Sequence, residues 1–285
     1  MNIFKFEFKR LLKSCIIWSL VCGALITLFM SLFPTMEDMG MKQIVNDKMG
    51  GMPVEILKAF NIDSSMDFTD IFNYLGYAIQ YIAMASAVYG AILGVNSLIR
   101  EESQGTIEFL YSKPINRLKI VTSKLCAIVA IFYVYILIIG AITMGVCYMV
   151  KPEDVEVMNL IMNIKVVFIG ILLLGLIFIS LGTLISSIVK SDKGAIPISI
   201  GIFFVSYFLG IIGKLKDSFN WLKYFSPFDY YAPSEILKDG FEVKFIIIGI
   251  YVIIISIISS YFIYSLNCII KSDKYINKKR HLWYT

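Results

Sequence analysis

The chain has 285 residues, of which 58% are hydrophobic and only 16% charged, with a mean hydropathy of +0.77. A soluble domain carries about a quarter charged residues; here there are too few charges to coat a globule, so lipid is the solvent that the composition fits. The formal net charge of +5 is mild and suggests no nucleic-acid partner.

Lys5, Lys9, Arg10 and Lys13 precede the first apolar run. Phe4, Phe8, Leu11 and Leu12 fall on one helical face, opposite Lys5, Lys9 and Lys13, with Phe6 out of phase. The pattern fits a basic amphipathic helix lying on the inner leaflet, or a basic flank that only sets topology. Residues 14–33 form a run as long as a full span, ending in Leu32-Phe33-Pro34 with no small-x-small cleavage pattern. They are read as an uncleaved first span rather than a signal peptide. Crossing the hydrocarbon core takes about 20 apolar residues, and five further stretches qualify: 76–99, 122–150, 164–189, 195–213 and 245–270.

In the long segment 34–75, Val54, Leu57, Ala59 and Phe60 form one side of a short helix expected to begin at Pro53. Asp67 or Thr69 is expected to cap a helix leading into the second span. Within that span Gly90-x-x-x-Gly94, flanked by Ala83, Ala87 and Ala91, makes a small-residue stripe suited to close helix packing rather than to a substrate site. The third and fourth spans are long enough to tilt or project. The fifth is the shortest, with Pro197 in its first turn, where a missing amide donor costs least. Segment 214–244 carries Phe219, Trp221, Tyr224, Phe225, Phe228, Tyr230 and Tyr231, which fits a loop at the outer leaflet interface or a flap tucked onto the helices. The five cysteines, Cys15, Cys22, Cys126, Cys147 and Cys268, lie within or beside apolar runs. They read as packing residues, not as a disulfide framework or zinc site.

With the N-terminus inside, the inner segments hold 16 of the 26 basic residues but only 6 of the 21 acidic ones. The positive-inside rule therefore places both termini in the cytoplasm. Lys214, Lys216, Lys223, Lys238 and Lys244, all in the last outer loop, run against the trend. No Asp or Glu lies deep in any span, which argues against an ion-coupled transporter. The single histidine, His281, lies in the tail, and no phosphate-binding Gly-x-x-x-x-Gly-Lys-Ser/Thr loop occurs. No catalytic, cofactor or metal site is expected, and any energy source must reside on another chain.

The inner loop 100–120 is the most informative segment. Gly105 allows a break after a charged helical extension. Thr106 is placed to cap a new helix, Glu108 favours its positive end, and Ile107, Phe109, Leu110 and Tyr111 are apolar in a segment that faces cytoplasm. Pro114 suits the first turn of the next helix. The result is a short crosswise helix whose apolar surface calls for a protein partner or a lipid surface.

The stretch Glu102-Ser-Gln-Gly-Thr-Ile-Glu-Phe-Leu-Tyr-Ser-Lys-Pro-Ile-Asn-Arg117 resembles the Glu-x-x-x-Gly-Thr-x-Glu-x-Leu-x-x-x-Pro-x-x-Arg motif of type-two ABC exporter permeases, among them bacterial antibiotic-export and self-resistance permeases. The stretch from Trp221 to Tyr231 is similar to that family's Ser-Pro-Phe segment, here Ser226, Pro227 and Phe228. The resemblance implies an all-α integral membrane protein, a single permease domain over 1–285, with six transmembrane helices, an N-terminal amphipathic interfacial helix and a cytoplasmic coupling helix. It also implies a separate ABC ATPase subunit and a second permease copy as partners. Gly105 and Thr106 would start the coupling helix, Glu108, Phe109, Leu110 and Tyr111 would dock, and Pro114 and Arg117 would set the return. Ser226, Pro227 and Phe228 are expected to guard the outer mouth. The alternative is a non-transporting scaffold or immunity protein that binds a cytoplasmic partner through the same loop.

Overall fold

A long apolar segment in lipid satisfies its backbone by closing every hydrogen bond within a helix, and the chain folds accordingly. The computed structural model describes the backbone of residues 3–38, 67–103, 117–189, 194–215 and 217–282, and their side chains apart from 36–38, 100–103, 117, 195, 217 and 266–282. The helices are α1 (Ile3–Ser31), α2 (Phe33–Asp38), α3 (Ile71–Ser103), α4 (Arg117–Val150), α5 (Val157–Ile188), α6 (Ala195–Leu215), α7 (Pro227–Tyr230), α8 (Pro233–Asp239) and α9 (Val243–Leu282), with a 3-10 helix at Asp217–Phe225. Six stretches, in α1 with α2, α3, α4, α5, α6 and α9, are long and apolar enough to cross a membrane. The chain is an all-α integral membrane protein, as expected. At 1.5 Å per residue the 34-residue α4 and the 40-residue α9 run about 50 and 60 Å, well beyond the ~30 Å hydrocarbon core.

Two parallel pairs build the centre. In the first, α3 lies against α5: Gly90 meets the backbone of Gly175, Gly94 that of Ile179 and Gly182, and Gly182 in turn meets Ala91 and Val95. A Cβ on Gly90 would sit 2.9 Å from the Gly175 carbonyl oxygen, and one on Gly182 2.7 Å from that of Ala91. The small-residue stripe is thus a helix contact, and its counterpart is a glycine row on α5. In the second pair α1 lies against α4, with the Cys15 thiol donating to the Ile131 carbonyl at 3.7 Å and Tyr135 Oη donating to Cys22 Sγ at 3.2 Å. Trp18, Tyr89, Phe132 and Tyr135 stack in series between the pairs. The spans of α6 and α9 are the least buried, with 28% and 17% of their 18-residue apolar stretch buried against 72% for α3.

Two local readings change. Residues 3–13 do not form a separate element but are the first turns of the continuous helix α1. Phe8, Leu11 and Leu12 pack toward the core, while Lys5, Lys9 and Lys13 are exposed. At the start of α3 the capping carboxylate is Asp70, whose Oδ1 accepts the Phe72 amide at 2.9 Å. Asp67 instead accepts the Thr69 hydroxyl at 2.6 Å in the turn before it. The short helix expected from Pro53, with Val54, Leu57, Ala59 and Phe60, lies outside the described residues.

Candidate functional site

Helices α3 and α4 run to the end of the bundle that carries the N-terminus, and the 100–120 loop joins them there. Gly105, Thr106, Glu108, Phe109, Leu110, Tyr111 and Pro114 lie outside the described residues. Glu102 and Arg117 are described only as backbone, in the last turn of α3 and the first residue of α4. The helical stems that hold this loop are described in detail. The Leu98 and Ile99 amides both donate to Ser186 Oγ of α5, at 2.9 and 3.0 Å, so a side chain enters the α3 ladder about one turn before the helix ends. Such insertions are a physical cause of local bending. On the α4 stem Lys124, 1% exposed, donates to the Ser97 carbonyl of α3 at 2.8 Å and lies 3.8 Å from Glu7 of α1. Glu7 is itself 4% exposed and pairs with Arg10 at 2.5 Å. Thr122 Oγ1 and Tyr261 Oη meet at 2.7 Å, tying α4 to α9. Both stems of the loop are therefore fastened to α1, α5 and α9 by polar contacts. Lys124 counted in the sequence as a loop cation; it is a buried ion-pair partner, because Glu7 on another helix balances it.

At the opposite end α6 finishes at Leu215, and the chain crosses to α9 through the 3-10 helix, α7 and α8. Ser226, Pro227 and Phe228 are all buried, as are the next five residues. Ser226 is the N-cap and Pro227 opens α7, where the ring's fixed φ suits a first turn. The Phe228 ring packs edge-on against Phe203 and Tyr207 of α6, at 6.3 and 5.4 Å. Tyr207 lies seven residues, about 10 Å, below the Lys214 turn, so this segment plugs into the bundle. Gly210 makes the seat: a Cβ there would collide with the side chains of Asp229 and Ser226. Tyr230 donates its hydroxyl to the Tyr224 carbonyl and stacks on Phe245 at 4.9 Å. Burial, then the neighbouring Tyr231 and Asp229, push its phenol up to about 12, so it stays a donor across the physiological range. Gly240, at φ +76°, then turns the chain toward α9; that left-handed backbone favours glycine.

The electrostatic centre of this end was not singled out in the sequence. Lys214 pairs with Asp229 at 2.9 Å and Glu235 at 3.3 Å, and Asp229 is only 8% exposed. The available signal was a lysine in the last turn of an apolar span, followed by a carboxylate inside Phe-Asp-Tyr-Tyr. Lys244 pairs with Glu242 at 2.6 Å. Two of the lysines that run against the topology rule are thus matched by acids. The tucked-flap reading holds for 226–233, which packs onto the helices, while Phe219, Trp221, Tyr224 and Phe225 of the 3-10 helix are exposed. Among the described residues the buried carboxylates are Glu7 and Asp229, one at each end of the bundle.

A family model described as ABC-2 family transporter protein matches residues 1–267. No curated protein matches the chain.

Proposed function

The chain belongs to the ABC-2 transporter family, and from that premise we propose that it is the membrane-spanning permease subunit of an ATP-driven exporter. The family assignment makes it a multi-pass membrane permease component of an ABC transporter. In the proposed assembly one domain, residues 1–285, pairs with a second permease copy and with separate ATPase subunits, so the chain itself is not an enzyme. Both termini face the cytoplasm of a cell-membrane protein, the side favoured by the basic residues.

The observation that carries the proposal is the joining of a family match over 1–267 to the apolar Phe109-Leu110-Tyr111 cluster in a loop with basic flanks. In this reading 102–117 is the coupling helix: Glu108, Phe109, Leu110 and Tyr111 dock on the ATPase, and Gly105, Thr106, Pro114 and Arg117 shape the entry and return. Closure of the ATPase pair then moves the stems of α3 and α4. The Ser186 contact and the Glu7–Lys124 pair support this reading, because they hand a stem movement to α5 and α1. Ser226, Pro227 and Phe228 form the outer gate, and their seat against α6 supports it.

Affinity capture of the tagged chain from native membrane should retain an ATPase carrying a phosphate-binding loop. Truncating buried aromatic anchors commonly costs about 2 kcal/mol or more, roughly a thirtyfold weaker interface. Phe109→Ala with Tyr111→Ala should therefore release that subunit while leaving expression unchanged. Capture of a non-ATPase partner through the same loop would favour the scaffold alternative.

A further inference from the structure

We propose that the cleft between α1, α3, α4 and the first turn of α6 binds the headgroup of an anionic phospholipid from the leaflet at the N-terminal end. The cleft measures about 600 Å³, and its lining includes Glu7, Arg10, Lys13, Ser97 and Lys124. Among the described residues Glu7 is shared between Arg10 and Lys124, and Lys13 is exposed beside them. Arg10 and Lys13 thus present positive charge to the cleft, which suits an anion. Ser97 is 3% exposed and its Oγ has no partner within the protein, nor has the buried Nε of Arg10. Unmatched buried donors cost free energy, and both donor types suit phosphate oxygens.

The apolar part of the lining identifies the source of the phosphate. Ile17 and Ile196 line the same cleft and are 51% and 57% exposed, so it opens sideways between α1 and α6, where acyl chains lie. Arg10 and Lys13 sit just before the apolar run and Ile17 one turn deeper, matching headgroup above hydrocarbon. A free phosphate has no use for that apolar flank. Trp18 also lines the cleft, and its indole suits interface depth. The site belongs to α1, α3, α4 and α6 of this chain and requires neither the coupling loop nor a direction of transport.

Trp18 supplies the readout. The chain has three tryptophans, so Trp221→Phe with Trp283→Phe leaves it alone in the full-length protein. Reconstituted into phosphatidylcholine nanodiscs, Trp18 should be quenched by brominated phosphatidylglycerol at a mole fraction roughly tenfold below that needed of brominated phosphatidylcholine, a preference that basic residues at an anionic surface can supply. Arg10→Gln with Lys13→Gln should abolish the preference. Lys13→Glu, at an exposed position, should weaken it. Lys5→Gln with Lys9→Gln, on the exposed face, should preserve it. Equal quenching by the two lipids, an unchanged preference in Lys13→Glu, or equal loss in the Lys5/Lys9 variant would overturn the proposal. Displacement of the brominated lipid by excess inorganic phosphate would also overturn it, assigning the site to free phosphate.

Discussion

Single atoms decide whether the helices meet. At Gly94 the opposing atoms are the backbone of Ile179 and Gly182, which cannot rotate aside as a side chain can. Gly94→Val should cost about 3 kcal/mol, the upper part of the overpacking range, read as a lowered thermal midpoint of the detergent-purified protein. A methyl group on Gly145 would meet nothing within 4 Å, so Gly145→Ala should add about 0.5–1 kcal/mol of stability, as for a mid-helix glycine, and raise the midpoint. Asp229 poses the electrostatic counterpart. Leaving a buried charge without its partner costs about 3–5 kcal/mol, and Asp229→Asn should fall below that range because Glu235 stays near Lys214. Replacing both partners, Lys214→Met with Asp229→Leu, should recover most of the loss. A strictly additive cycle in thermal unfolding would show that the pair carries no coupling.

At the scale of elements, the plug and the loop stems differ in how they are held. The 226–236 segment is fastened by ring packing on α6, by Tyr230 on Phe245 and by Ile236 against Gly170 of α5. If it gates the outer mouth, Pro227→Ala with Phe228→Ala should impair transport while membrane insertion and ATPase association persist. Cargo efflux from vesicles, measured beside affinity capture, separates these effects; normal efflux would reduce the segment to a lid against lipid. The exposed 3-10 aromatics Trp221 and Phe225 lie next to this plug, and rings with such exposure suit the bilayer interface.

For the whole molecule, the proposed topology puts both termini in the cytoplasm, from six candidate spans and the balance of basic residues. In a background lacking all five native cysteines, Glu153→Cys in the exposed α4–α5 turn should react with impermeant thiol reagents on intact cells. Lys5→Cys, exposed at the other end of the bundle, should react only after permeabilisation. The reverse pattern would invert the topology and take the 100–120 loop out of the cytoplasm, against its proposed coupling role. The exposed apolar faces of α6 and α9 are then available to lipid or to the proposed second permease copy.

The number, order and approximate limits of the spans were legible in the sequence, because span formation depends on a local quantity, the apolarity of about 20 consecutive residues. The glycine stripe was legible for the same reason: four-residue spacing fixes one helix face wherever the helix lies. Its partner was not, since a row of small residues does not say which other helix carries the matching row. The Ser226-Pro227-Phe228 segment was visible as a motif, but its seat depends on Gly210 and on rings of α6 that only the folded chain brings beneath it. The ion pairs were the least legible. Glu7 and Lys124, or Lys214 and Asp229, look in a linear reading like scattered topological charges. Lipid makes every apolar face equivalent along a span, so hydropathy marks where a helix crosses but not which side meets protein. That choice rests on backbone close approach and charge compensation between distant residues, and only the tertiary structure supplies both.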